Sequence, residues 1–145
     1  MKKTELKNKI TELICKPQLA SVGTIMDGKP WIRYMILMGE PDLTLFTTTF
    51  SSARKVEQIK KDPNVHIVIG GDQEHFKNPH INIQATAHVL TDLETKKKHW
   101  CEHLKIFFSG PEDTNFSVIK ISPQLIEYTC GDALTPEVYI VNTNV

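Results

Sequence analysis

The stretch LASVGTIMDGKPWIRYMILM, Leu19 to Met38, decides the fold. Asp27-Gly28 at its centre tolerates the positive φ angles of a tight two-residue turn. Apolar and β-branched residues run outward on both sides, so the stretch predicts two antiparallel strands joined as a hairpin. On the second arm, alternation places Trp31, Arg33, Met35 and Leu37 on one face. An arginine among apolar neighbours on a central strand must find a partner or reach a rim.

The same logic extends in both directions from the hairpin. Upstream, Leu6, Ile10, Leu13 and Ile14 recur at helical spacing, and Pro17 stops that helix. Downstream, LTLFTT reads as a third strand and SSARKVEQIKKD as a short helix ended by Pro63. NVHIVIGG is a fourth strand. HINIQATAHVL is a long fifth strand, with Ile81, Ile83, Ala85 and Ala87 alternating inward. Thr91 and Glu94 have the spacing of a capping box ahead of one helix, LETKKKHWCEHLKIFF, with Leu93, Trp100 and Leu104 on a shared face. FSVIKIS and LIEYTC read as two strands separated by Pro123, and the tail ALTPEVYIVNTNV as a short strand or a packed arm. Short strands joined mostly by turns favour an antiparallel sheet. About six or seven of them with three helices predict a small closed or partly closed barrel. The fold class is mainly β with flanking helices, in a single domain over residues 1–145.

Composition narrows the function. Seventeen basic residues balance 17 acidic ones, so the chain lacks the basic footprint that nucleic-acid binding needs. No stretch approaches the roughly 18 apolar residues of a membrane span. The three cysteines, Cys15, Cys101 and Cys130, are odd in number and show no CxxC spacing, which fits reduced thiols and a cytoplasmic protein. GxGxxG, GxxxxGK[ST], GxSxG and HExxH are all absent. The spacing of those motifs is what nucleotide, serine-hydrolase and zinc-hydrolase chemistry requires. His99 and His103 are four apart on the predicted helix, but no glutamate stands in the general-base position, so a solvated face is the better reading than a metal site. His66, His75, His80 and His88 are scattered over strands and loops.

TTTFSSARK, Thr47 to Lys55, is the chemically dense stretch. A phosphate ester needs hydrogen-bond donors and compensating positive charge. Hydroxyls, a helix N-terminus and a basic pair at a strand-to-helix junction supply both. The simpler alternative makes Ser51 or Ser52 an N-cap and leaves Arg54 and Lys55 solvated. Cations in a first helical turn oppose the helix dipole, however, and a bound anion would offset that. Arg33 and Arg54 are the only arginines of the chain, and arginine's planar fork suits bidentate recognition of phosphate.

The ordered set LASVGTIMDGKPWIRYM, LTLFTTTFSSARKVEQIKKDPNVHIVIGG, NIQATAHVLTD and FFSGPEDTNFSVIKISPQLIEY resembles the pyridoxamine-phosphate oxidase-like FMN-binding split β-barrels, in the branch of the general stress proteins. The resemblance runs from about Leu19 to Tyr128. It implies an antiparallel six-stranded split barrel that forms a homodimer with two FMN sites between subunits, working with a small-molecule redox partner. It assigns the FMN phosphate to Arg33, the Ser51/Ser52 region, Arg54 and Lys55. Tyr34, Met35, Ile36, Thr47 and Thr48 would lie along the flavin, with Gln84 and Thr86 near the ring. Two features depart from the family pattern. Ala53 stands where a hydroxyl commonly precedes the basic pair, and Thr129 where a tryptophan often follows the last strand's tyrosine. After Cys130 there is no arginine or histidine of the kind that holds the substrate phosphate in true pyridoxamine-phosphate oxidases, so that substrate is not expected. The implied function is an FMN-dependent oxidoreductase. The alternatives are a non-catalytic flavin-binding sensor or carrier, or a relative that takes haem or a deazaflavin.

Overall fold

The computed structural model describes residues 1–72, 77–131 and 133–141. His75 and the last four residues of the predicted tail lie outside that set. The chain runs through α1 (Lys3–Ile14), β1 (Gln18–Met26), β2 (Lys29–Gly39), β3 (Leu45–Phe50), α2 (Arg54–Lys61), β4 (Asn64–Gly70), β5 (His80–Leu90), α3 (Leu93–Lys98), a 3-10 turn (Glu102–Ile106), β6 (Phe116–Thr129) and β7 (Glu137–Ile140).

The hairpin forms as its sequence dictates. Asp27 and Gly28 take φ values of 53° and 74°, and Met26 pairs with Lys29 across the turn. Strands then pair in the order β3-β2-β1-β4-β5-β6, all antiparallel, and β3 returns to pair with β6. That last pairing closes a six-stranded barrel, and β7 adds a seventh strand on β6. Closure leaves the six barrel strands without a free edge along the paired segments.

The inner faces fill the core. Ile67, Ile81, Ile83, Ile119 and Ile126 are fully buried inside the barrel. Leu6, Ile10 and Ile14 join them from α1. A 12-residue helix is marginal alone in water, so α1 is held by burying those three side chains, at about 1.5–3 kcal/mol each. Leu104, Phe108, Phe116 and Val118 form a second, aromatic cluster under the α3 region.

Three details differ from the sequence reading. The predicted pair FSVIKIS and LIEYTC is one 14-residue strand, β6. Pro123 does not divide it because the register with β5 shifts between Gln84 and Ala85, and a residue without an N–H is tolerated at such a bulge. The long helix LETKKKHWCEHLKIFF is instead α3 followed by a separate 3-10 turn, so Leu93, Trp100 and Leu104 do not share one helix face. Leu93 is exposed, while Trp100 packs edge-on against Phe116. The cap of α3 is Asp92 rather than Thr91. Its carboxylate accepts from Thr95 N at 3.0 Å and Thr95 Oγ1 at 2.8 Å, and a carboxylate is an equally good cap acceptor one residue later.

Candidate functional site

The pleat of β2 turns Met35 and Leu37 into the core and leaves Ile32, Tyr34 and Ile36 outside. Arg33 shares the inner face but sits nearer the hairpin, where α2 packs over β1. There it finds neutral partners. Its Nη1 donates to Thr24 Oγ1 at 2.8 Å and to the Val22 carbonyl at 3.3 Å, and its Nη2 donates to Gln58 Oε1 at 2.8 Å. The Arg54 guanidinium lies over the Trp31 ring, 5.4 Å from its centre. Burial, and then the charge of Arg54, lowers the Arg33 pKa. Burial, and then the charge of Arg33, lowers that of Lys55. Three cations are therefore gathered within electrostatic reach of one another. Among the described residues no carboxylate comes within ion-pair distance of any of them. Glu57, the acid of the first turn of α2, pairs with Lys61 at 3.3 Å instead.

Lys55 also belongs to a cleft of about 640 Å³. One wall is Tyr34, Met35 and Ile36 of β2 with Thr47 and Thr48 of β3. The opposite wall comes from the α3 region: Lys98, His99, Cys101, His103, Phe107 and Phe108. Among the described residues no acid lines this cleft. The His99 ring stacks on Phe46, with centroids 4.3 Å apart and planes at 29°. Burial, and then the charge of Lys98, pulls the His99 pKa down, with Glu40 opposing. The predicted solvated His99–His103 face does not form, because His99 caps α3 and His103 lies in the following 3-10 turn. Among the described residues no group of three or more His, Cys, Asp and Glu side chains is placed to hold a metal ion.

The sequence pattern of the pyridoxamine 5'-phosphate oxidase family matches residues 6–130. The chain belongs to that family. General stress protein 26 of Bacillus subtilis (strain 168) is 31% identical over 136 residues, covering 94% of this chain and 96% of that protein. The crystal structure of General Stress Protein 26 from Bacillus anthracis str. Sterne superposes with a TM-score of 0.79 at 30% identity, covering 94% of this chain and 98% of the other. A protein related to general stress protein 26 from Clostridium acetobutylicum shares the fold at 20% identity, with a TM-score of 0.77 and coverage of 94% and 95%.

Within this member of the family, the residues expected at a flavin site are not all brought together. Tyr34, Met35, Ile36, Thr47, Thr48 and Lys55 line the cleft described above. The Met35 side chain points into the core, so only its backbone is available there. Arg33 and Arg54 stand beside that cleft, linked to it electrostatically through Lys55. Ser51 and Ser52 cap nothing, since the N-cap of α2 is Ala53 and makes no side-chain bond. The Ser51 hydroxyl donates to the Thr114 carbonyl at 2.9 Å and shares a 2.6 Å hydrogen bond with Ser117, whereas Ser52 is exposed. Gln84 lines a second cleft, of about 540 Å³, with Ser21, Ile32 and His66. Thr86 lines neither.

Sequence reasoning passed over Gln58 and the α3 wall. Gln58 sits in a charged run, KVEQIKK, that reads as a solvated helix. Its one signal is position, beside Ile59 and one turn after Arg54. The α3 wall was hidden by the unbroken helical pattern from Leu93 to Phe108.

Proposed function

We propose that this chain is an FMN-binding redox protein whose phosphate clamp is Arg33, Arg54 and Lys55. The gathered cations, with no carboxylate partner among the described residues, carry this reading. Like charges held together destabilise a fold unless an anion offsets them, and a phosphate ester brings about −1.5 to −2 charges. The residues present fit the group. Lys55 joins the cation cluster to a cleft whose walls offer apolar surface from Ile36 and Phe107 and hydroxyls from Thr47 and Thr48. When bound, the flavin supplies hydride and single-electron transfer. The chain's own part is to fix the phosphate, to hold the ring against β2 and β3, and to exclude water with the α3 wall. The charge of Lys55, which has no carboxylate partner among the described residues, favours an anionic state of whatever lies beside it, whereas Lys98 across the cleft is paired with Glu40 at 3.5 Å. Pyridoxamine phosphate is not the substrate we propose, because the described C-terminal segment brings no arginine or histidine to receive a second phosphate.

The proposed assembly is a homodimer. Leu19, Ile32, Tyr34, Ile36, Met38 and Val68 are all exposed on the outer faces of β1, β2 and β4. An apolar surface of this extent is characteristic of an interface. Gln84 lines the cleft beside Ile32 and Val68 on that same face, so a second copy seated there would cover Gln84.

Absorbance spectra of the purified protein before and after adding FMN test the reading. Bands of bound flavin are expected. A colourless protein that FMN titration leaves unchanged overturns it, and a Soret band on haem titration would replace flavin with haem. Changing Arg54 and Lys55 together to alanine should weaken FMN binding at least tenfold while leaving riboflavin binding nearly unchanged, since each charge-assisted hydrogen bond contributes about 1.5–3 kcal/mol. Electron transfer from chemically reduced protein to an added acceptor separates an enzyme from a carrier.

A further inference from the structure

Gln58 is 2% exposed and Thr24 is 1% exposed, so both belong to the interior, yet both are polar. They meet each other and Arg33 and no other described charged group. Thr24 Oγ1 donates to Gln58 Oε1 at 2.5 Å, Arg33 Nη1 donates to Thr24 Oγ1 at 2.8 Å, and Arg33 Nη2 donates to Gln58 Oε1 at 2.8 Å. A chain of this kind costs desolvation unless every member is satisfied. Its position ties β1, β2 and α2 together at one guanidinium.

A guanidinium has five N–H donors. Among the described residues three find acceptors, two on Nη1 and one on Nη2. The two that remain are the Nε–H and one hydrogen of Nη2, on neighbouring nitrogens of the fork, and a pair of this kind is what bidentate contact with a phosphate uses. The chemistry of the anchor matters as much as its place. A glutamate at position 58 would hold Arg33 equally well but would cancel its charge. An amide oxygen orients the guanidinium and leaves the positive charge whole.

Resting on the FMN reading above, we propose that Gln58, assisted by Thr24, is the positioning residue of the phosphate clamp: a neutral, buried anchor that aims the free edge of Arg33 at the anion. Gln58 also lies one turn after Arg54 on the same helix, so the anchor sets the spacing of all three cations. It does not touch the ligand. It acts through Arg33.

The test is titration of FMN and of riboflavin into wild type, Gln58→Met, Gln58→Glu and Thr24→Val, with melting temperatures recorded alongside. Methionine keeps length and helix propensity but removes the acceptor. The expected result is a roughly tenfold loss of FMN affinity in Gln58→Met with riboflavin affinity unchanged, the size expected for loss of one charge-assisted hydrogen bond. Gln58→Glu should keep the fold and lose FMN affinity by at least as much, because its carboxylate competes with the phosphate for Arg33. Thr24→Val, isosteric on its strand, should shift FMN alone and in the same direction, and it carries the test if Gln58→Met does not fold. A variant that melts lower but loses FMN and riboflavin equally, or loses neither, reduces Gln58 to a packing residue and overturns the proposal. Undiminished FMN binding in Gln58→Glu does the same. Wild type that binds FMN no better than riboflavin defeats the clamp itself, and Gln58's role falls with it, so that failure is distinguishable from the others.

Discussion

At the residue scale, two side chains of the site are set by their neighbours rather than by their own type. Arg33 reads in the sequence as an arginine that needs a partner, and alternation along β2 places it correctly beside Met35. Alternation cannot supply the partner's identity, because Gln58 is 25 positions away on another element. His99 is the second case. Its ring is stacked on Phe46 and partly desolvated, so its folded pKa lies below the ordinary 6.5. Protonation then favours the unfolded chain. Its contribution to stability is complete above that ordinary value and is lost as pH falls through the lowered one. Melting curves between about pH 7.5 and pH 5 should show a falling midpoint, and His99→Phe, which keeps the stack, should flatten that part of the decline. An identical slope in the variant would move the effect to another group.

At the element scale, the docking of α1 depends on one glycine. A Cβ at Gly39, the last residue of β2, would sit 2.8 Å from Ile14 Cδ1 and Cγ1. The Ile14 side chain is fully buried and has little room to yield. Gly39→Ala should therefore destabilise by about 1–3 kcal/mol, the usual cost of overpacking, as read from urea denaturation midpoints at constant slope. An unchanged midpoint would mean that α1 slides without cost. Element boundaries show where local signals stop. The Asp27-Gly28 hairpin is legible to the residue, because its turn geometry is set by two adjacent residues. The break between α3 and the 3-10 turn is not, because Cys101 and Glu102 carry no helix-breaking signal. The break instead accompanies seating Leu104 and Phe108 against Phe116, which is 0% exposed. Likewise Pro123 reads as a strand end until the bulge opposite Gln84 and Ala85 absorbs it.

At the scale of the whole molecule, the outer face of the hairpin matters most. Ile32 and Tyr34 are each 73% exposed on the outer face of β2, in the stretch where β1 pairs with it and β3 does not. Light scattering at micromolar concentration should report a dimer. Ile32→Asp should shift the protein to monomer without unfolding it, since the residue faces outward, and should weaken flavin binding as the partner's contribution is lost. A monomeric wild type, or a monomeric variant that binds FMN normally, would confine the site to one chain.

Alternation, turn chemistry and the run of hydroxyls before Arg54 and Lys55 are local properties, and they determined the strands, the hairpin and the chemical character of the strand-to-helix junction. The pairing of β3 with β6 and the meeting of Arg33, Thr24 and Gln58 join segments far apart in the chain. So does the cleft between β2, β3 and the α3 wall. These were decided only when the barrel closed, because burial of the isoleucine core fixes the register of every strand at once, and a polar side chain's partner is whatever that register places opposite it.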